Sequence, residues 1–538
     1  MVLNWHRYPK KNLKNKTLYP IYLGLAVCIG ILLGIFFNFP HQTVAFNETS
    51  EREQKLRQIL NYIDYEYVDK VNTDSLLDQT ISELLHHLDP HSTYIPQEDV
   101  LASEESIRGT FVGIGIEFKI YRDSLTVVKV IEGGPSAQAG ILAGDRILRA
   151  DTISLFGPTL NAAKVVSTLK GARNTSTTLS IKRFGTIQPL LLKVKRNNVD
   201  LNSVQSAFII NDSIGVIKLT KFSARSTEEI QESIKNLKAQ GATALILDLR
   251  DNPGGLLKAA EQISDQFLEK DALIVFTKDR NEKKEEFFAT RQGNFEKGQV
   301  AVLINRGSAS ASEIVAGALQ DNKRAIIVGR RSFGKGLVQE EITLGDGSKM
   351  RLTTQRYYTP SGRSIQRDYE TYDSQFSFHG RNPARKSSAD STVLLPEEQE
   401  FSKGRNEGGI LPDVEVGYDT AGTTRLLYQL AMSVNLDEKS FEFVDKNRAR
   451  FAQWPSDSFI DNWQADTSSY QHFFGKEMTK YIYQQDSIQQ VVLNNRLKAF
   501  IAYNLYGNNE YQKVYSFDDP YILEAIKALE GQNKKQSN

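Results

Sequence analysis

Cysteine is almost absent from this chain: Cys28 is the only one in 538 residues. A single thiol excludes an intrachain disulfide, a thiolate zinc cluster and any cysteine nucleophile in the rest of the protein. Excess charge of either sign is also lacking, with 66 Lys and Arg against 65 Asp and Glu and a net charge of +1. Nucleic-acid binding asks for a basic stripe, which is missing, so no nucleic-acid partner is expected. There are seven histidines, and their one cluster, His86, His87 and His91 in HHLDPHS, has no distant set of ligands to match it. No metal and no cofactor are expected. No repeat of about 20–50 residues is evident, which excludes a solenoid.

One long apolar run is present, from Leu18 to Phe37, and His6, Arg7, Lys10, Lys11, Lys14 and Lys16 precede it. Its length matches the ~20 residues that span a bilayer. Positive charge ahead of the span keeps residues 1–17 cytoplasmic and sends the remainder across. The expectation is a single-pass anchor at residues 18–37 in a bacterial cytoplasmic membrane, with the catalytic part on the periplasmic side. The alternative is a signal peptide cleaved near Ala45, which would release a soluble periplasmic form. Cys28 lies inside the span as a small membrane-facing residue.

The most informative stretch runs from Ile304 to Gln339, INRGSASASEIVAGALQDNKRAIIVGRRSFGKGLVQ. Ser308, Ser310 and Ser312 alternate with alanines ahead of a run with helical spacing, Ile314, Val315, Ala318 and Leu319. Ser310 to Glu313 fits the S-x-x-E capping box, in which the serine only caps a helix. On a helix Ser308 and Ser312 share a face and Ser310 points away, so Ser310 is the distinct member. Lys335 sits between Gly334 and Gly336, beside Phe333, Leu337 and Val338. A solvated surface charge is one reading of it. The other is a buried amine: lysine at its ordinary pKa of ~10.4 is a poor base, and burial can lower that value by up to ~3–5 units.

SASASE followed by GKGLVQ resembles the carboxyl-terminal processing peptidases, or tail-specific proteases, which are PDZ-containing serine peptidases with a Ser-Lys dyad. The resemblance implies that Ser310 is the nucleophile, Lys335 the general base and Gln339 the residue that orients the lysine. If the segment is helical, the i, i+4 spacing of Lys335 and Gln339 puts both on one face. Upstream, ATALILDLRDNPGG (Ala242 to Gly255) is an apolar β-rich run ending in a turn that exposes backbone N–H groups. By the resemblance this turn supplies one oxyanion donor, from Gly254 or Gly255, and Ala311 supplies the other. KMRLTTQRYYTPSGRSIQ and GGILPDVEV resemble the family's later strands, and HHLDPHS resembles a helix-and-turn segment outside its active site. The family joins those later strands by a shorter connection. Here an insertion at 368–407, rich in Ser, Arg, Asp and Glu, is expected to be a flexible loop.

Residues 109–199 read as short β-runs at Ile114–Ile120, Leu125–Ile131, Arg146–Ala150, Thr178–Lys182 and Leu190–Val194, with a helix at Leu160–Leu169. FVGIGIEF, GGPSAQAGILAGDRILRADT and the helix before LKGARNT together resemble a PDZ domain. In such a domain an extended peptide adds a strand to the sheet edge while loop amides hold its carboxylate. The loop here would be Val112, Gly113, Ile114 and Gly115, with Ile116 and Phe118 on the side that receives the peptide.

The fold class expected is α/β and α+β multidomain. A helical region at 51–108 follows the transmembrane helix, then the PDZ β-domain, an α/β peptidase core at 200–417 and a helical extension at 418–538. Core strands are expected at Ile214–Leu219, Ala244–Leu249, Val300–Ile304 and Ala325–Val328. The function implied is cleavage of exported proteins at exposed C-terminal tails, with a homodimer or adaptor as further partners. The rival is an inactive PDZ scaffold that presents tails to another protease.

Overall fold

A computed structural model of the chain describes residues 51–369, 408–417 and 435–536, apart from a few single positions. The apolar run 18–37, most of the insertion 368–407 and the first part of the expected helical extension, 418–434, lie outside the described residues. Among the described residues no helix is long and apolar enough to cross a membrane. Two units are distinguished. The first, up to Thr80, holds the helix Glu51–Glu66, none of whose residues is buried, and the start of the helix Thr73–His86.

In the second unit a small β-domain comes first. Strands β1 (Ile116–Tyr121), β2 (Ser124–Val130), β3 (Arg146–Ala150), β4 (Ser176–Lys182) and β5 (Leu190–Lys195) pair antiparallel in chain order, leaving β1 at the edge. Helix α1 (Ala162–Leu169) starts where the Asn161 side chain accepts the Lys164 N–H at 2.9 Å. Its Val165 and Leu169 close a core made of alternate strand residues such as Leu125, Val127, Ile147, Leu179 and Ile181. The strand expected at Ile114–Ile120 starts two residues later, at Ile116. Thr110–Gly113 pairs separately with Asn197–Asp200, and the chain turns at Gly115, whose φ of +76° is not a strand conformation.

The peptidase core is built from β6 (Val204–Ile209), β7 (Ile214–Leu219), β8 (Ala244–Asp248), β9 (Leu273–Asp279), β10 (Lys284–Phe288), β11 (Gln299–Ile304), β12 (Ile326–Gly329), β13 (Leu337–Thr343), β14 (Lys349–Tyr358) and β15 (Val414–Glu415). One sheet has the order β6-β7-β8-β11-β12-β15 and is parallel except for the β6–β7 pair. A second, antiparallel sheet joins Thr93–Ile95, β14, β9 and β10, with β13 also on β14.

Parallel strands need cover on both faces, which is why ALILD and VAVLI are almost wholly apolar. On one face Leu245, Leu247, Val300 and Val302 pack under the helices Ser226–Ala239, Leu257–Ser264 and α2 (Ala311–Asp321). On the other face Val216, Ile246, Ala301, Leu303 and Val328 meet Ile522, Ala525 and Leu529. Those three residues lie on α5 (Pro520–Gln536) of the C-terminal extension, whose α3 (Leu436–Phe451) and α4 (Ser487–Tyr506) surround an aromatic core of their own. The extension is thus a structural cover for the peptidase sheet. Ile522 is 1% exposed, and Ile522→Ala should cost about 2–5 kcal/mol, read as a lower urea midpoint for the peptidase core.

Candidate active site

Strands β8 and β11 are parallel neighbours, so the segments after them emerge at the same edge of the sheet, where open α/β sheets form crevices. The turn 249–255 follows β8, and the serine cluster follows β11. Ser308 Oγ donates to Leu249 O at 2.7 Å, and Ser312 Oγ donates to Asn252 O at 2.9 Å. Asn252, fully buried, completes the junction: its Nδ2 donates to Leu219 O and its Oδ1 accepts the Gly254 N–H, both at 2.9 Å. The flanking serines therefore stitch two loops together, and Ser310 is left over.

The cluster does not enter a helix as a block. Helix α2 begins at Ala311, so Ser308 and Ser310 precede it and the expected sharing of a helical face does not arise. Ser310 is the residue before the first turn, at φ 55° and ψ −112°. A non-glycine residue held at positive φ costs about 1–3 kcal/mol and persists only where its surroundings enforce it. Here the enforcing group is Glu313.

Glu313 is fully buried, and its carboxylate accepts four hydrogen bonds. Oε1 takes Ser332 Oγ–H at 2.6 Å and Gly334 N–H at 2.7 Å, and Oε2 takes Ser310 N–H at 2.8 Å and Lys335 N–H at 2.9 Å. The Tyr357 hydroxyl is shared between Ser310 O at 3.0 Å and Lys335 O at 2.7 Å. The serine and the lysine are thus brought together through their backbones. Burial pushes the Glu313 carboxyl up to about 7, against the pull of its four donors. The S-x-x-E pattern was the sequence signal for this residue, and it hid a clamp inside an ordinary helix cap.

Lys335 is half-buried, and its Nζ donates to Gln339 Oε1 at 2.8 Å. The expected helix is not what joins them. Residues 331–336 are irregular and Gln339 lies in β13, where a bulge between Val338 and Gln339 turns its amide back toward the lysine. Burial lowers the Lys335 pKa; the charges of Asp89 and Glu313 oppose that shift, and Arg351 adds to it. Among the described residues no hydrogen bond joins Lys335 Nζ to Ser310.

Of the backbone donors, Gly254 N–H is taken by Asn252 Oδ1, whereas Gly255 and Ala311 donate to no acceptor among the described residues. Both glycines are required. A Cβ on Gly254 would lie 2.7 Å from Ala309 O, and one on Gly255 would lie 2.1 Å from Phe222 O. HHLDPHS, expected outside the active site, instead lies beside it. His91 meets Phe333 edge-on at 6.3 Å, and burial together with the Lys335 charge pushes its imidazole down to about 4. Nothing in the spacing of that motif could have tied it to a lysine about 240 residues away.

On the small β-domain, Val112 and Gly113 are paired with Asn198 and Asn197, so the turn outside the strands is Ile114-Gly115, whose carbonyls accept the Ser136 and Ile131 N–H groups, and not the whole of 112–115. Ile116 and Phe118 pack toward the domain's core from the edge strand β1, and Ile114 is buried beneath them.

Glu313→Gln keeps the size of the side chain but presents one acceptor oxygen where four donors converge. Cleavage should be lost, and stability should fall by at least ~2 kcal/mol. The sign with pH follows from a folded pKa near 7 that lies above the ordinary glutamate value. This carboxyl's contribution is complete below ~4.3 and is lost as pH rises through its folded value. Urea midpoints of wild type and Glu313→Gln should therefore diverge further at pH 5 than at pH 8.

Residues 213–375 match the family model for peptidase family S41, residues 126–183 match a PDZ domain, and residues 426–507 match a family of unknown function, DUF8443. The chain is 38% identical over 350 residues to the carboxy-terminal-processing protease of Bartonella bacilliformis, covering 63% of this chain and 80% of that one. It is 32% identical over 329 residues to the carboxy-terminal processing protease CtpB of Bacillus subtilis, covering 61% and 68%. A probable CtpA-like serine protease of Staphylococcus haemolyticus is 29% identical over 447 residues, covering 80% and 84%. With the S41 and PDZ matches falling on the peptidase core and the small β-domain just described, the chain belongs to the carboxy-terminal-processing proteases, serine-type peptidases that carry a PDZ domain.

Proposed function

We propose that this peptidase is a membrane-anchored enzyme that takes C-terminal tails of exported proteins on its PDZ domain and cleaves them with a Ser310–Lys335 dyad. The observation that carries the reading is the Glu313 carboxylate, which accepts the N–H of both residues and holds their loops together. Lys335 Nζ takes the Ser310 Oγ proton as Oγ bonds to the scissile carbonyl carbon. The C–N bond then breaks, and the ammonium gives that proton to the leaving amine. Water, deprotonated by the same amine, attacks the acyl carbon; the C–Oγ bond breaks, and the ammonium returns the proton to Ser310 Oγ. Gln339 holds the lysine between these steps, and Ala311 N–H with the Gly254-Gly255 turn receives the oxyanion. The bond between Lys335 and Ser310 forms when substrate is seated, as catalytic hydrogen bonds commonly tighten in the complex.

The edge strand β1 and the Ile114-Gly115 turn support the tail-binding part of the reading, since a peptide strand can add to β1 with its carboxylate at the turn. Residues 18–37 and the basic residues before them support an anchor that leaves the peptidase on the periplasmic side.

The test is digestion of an unstructured protein by wild type, Ser310→Ala and Lys335→Ala. Both variants should lose activity by about 10³-fold or more. Equal cleavage by all three would refute the dyad. A wild type that stays inert even with a peptide ending in apolar residues would favour a tail-presenting scaffold.

A further inference from the structure

The turn after the helix Thr73–His86 carries a buried carboxylate, and a continuous line of polar atoms runs from it to Lys335. Asp89 Oδ1 accepts the N–H groups of His91 and Ser92, both at 2.8 Å, and its Oδ2 accepts Ser92 Oγ–H at 2.7 Å. Ser92 Oγ lies 3.4 Å from Thr353 Oγ1 and accepts the Thr353 N–H at 3.2 Å. Gln339 Nε2 then donates to Thr353 Oγ1 at 3.3 Å, and Gln339 Oε1 accepts from Lys335 Nζ. Burial raises the Asp89 pKa, but the bonds from Ser92, His91 and Thr353 outweigh it and hold the carboxyl below its usual value.

The direction of the line is set at one end. An ionised carboxylate only accepts, so the single Ser92 hydroxyl proton is committed to Asp89. The Thr353 hydroxyl donates toward the same carboxylate, as one of the bonds that hold the Asp89 carboxyl down, which turns its lone pairs to Gln339. An amide has one donor end and one acceptor end, so Gln339 gives its NH₂ to Thr353 and its oxygen to Lys335. An amine that donates one N–H to that oxygen has its lone pair directed elsewhere.

We propose that Asp89 is a positioning residue for the peptidase reaction: acting through Ser92 and Thr353, it fixes which end of the Gln339 amide faces Lys335 and thereby where the lysine lone pair points. The proposal rests on the dyad reading given above. Asp89 and His91 from this turn, Arg351 from β14 and Glu313 from α2 are the charged or titratable groups that act on or near Lys335, and Tyr369 also feels Asp89.

The experiment measures kcat and KM against pH for the full chain on an unstructured protein, with melting temperatures alongside. Asp89→Asn should lower kcat by up to about 100-fold, the scale of a misplaced reacting group, with KM unchanged. It should also move the acid limb of kcat/KM to lower pH, because the lost negative charge no longer favours the ammonium. Thr353→Val should lower kcat with the limb in place, since Asp89 keeps its charge, and Thr353→Ser should restore it. Wild-type kcat and pH profile in Asp89→Asn would overturn the proposal. So would a loss that tracks a lowered melting temperature while the limb stays fixed. Ser310→Ala and Lys335→Ala separate the two readings. If they are inactive while Asp89→Asn and Thr353→Val match wild type, this proposal alone fails. If they retain full activity, the dyad fails and the proposal with it.

Discussion

The loops that end in Ser310 and Lys335 are held in register chiefly by the Glu313 carboxyl between them, with the Tyr357 hydroxyl and the Phe333 N–H to Ser308 O bond beside it. Four donors converge on that carboxyl from residues 310, 332, 334 and 335. Removing them would leave a buried carboxyl unpaired, and removing it would leave four donors unpaired; each orphan costs about 1–3 kcal/mol. That mutual dependence is large enough to hold Ser310 at a positive φ, a strain of about 1–3 kcal/mol, with stability to spare. The serine's half-buried, unhelical position at the mouth of α2 is therefore a consequence of a carboxyl buried one turn inside the helix.

The same economy governs the opposite wall of the crevice. Asn252 uses both ends of its amide and its carbonyl to tie the turn after β8 to β7 and to the serine cluster. Arg250, two residues earlier, forms a bidentate pair with Asp248 and also reaches Asp519 at 2.8 Å, while its guanidinium lies 4.7 Å from the Tyr521 ring centre. Burial works against the Arg250 charge, but the two carboxylates overcome it and keep the guanidinium protonated far above any working pH. Asp519 and Tyr521 begin the helix that covers the second face of the peptidase sheet. The turn that would receive an oxyanion is thereby fixed from the C-terminal extension as well as from the serine loop.

Much of this was legible in the sequence because apolar runs and glycine turns report local geometry. The strands at 214–219, 244–248, 299–304 and 326–329 fall within a residue or two of the runs that announce them, and Asn161 caps α1 where its helix was expected to begin. Illegible were the features that depend on two segments meeting. Lys335 and Gln339 are four apart in both a helix and a bulged strand, so spacing could not tell one from the other. Glu313 reads as a cap until Ser332 and Gly334 are seen on its other oxygen. Asp89 reads as a turn former until Thr353, a residue of the second sheet, arrives beside Ser92. Val112 and Gly113 looked like a carboxylate loop because their partner strand, Asn197–Asp200, lies at the far end of the domain's sequence.

The helical extension grips its two neighbours unequally. Toward the PDZ domain it offers Asp437 to Lys119, Glu442 to Tyr121 and Arg122, and the Tyr503 hydroxyl to Glu117, around the ring pair Tyr121–Phe441. The Arg122 side chain is 67% exposed and that of Asp437 44%, and pairs of this kind are worth about 0–1 kcal/mol each. Toward the peptidase it buries Ile522, Ala525 and Leu529 against the sheet and closes the Arg250–Asp519 pair, whose side chains are 14% and 6% exposed. Burying a side chain such as Ile or Leu contributes about 1.5–3 kcal/mol, and breaking a buried ion pair costs about 3–5 kcal/mol. The extension is therefore fixed to the peptidase through apolar core and a buried ion pair, and to the PDZ edge strand through the buried Tyr121–Phe441 rings with half-exposed charges around them.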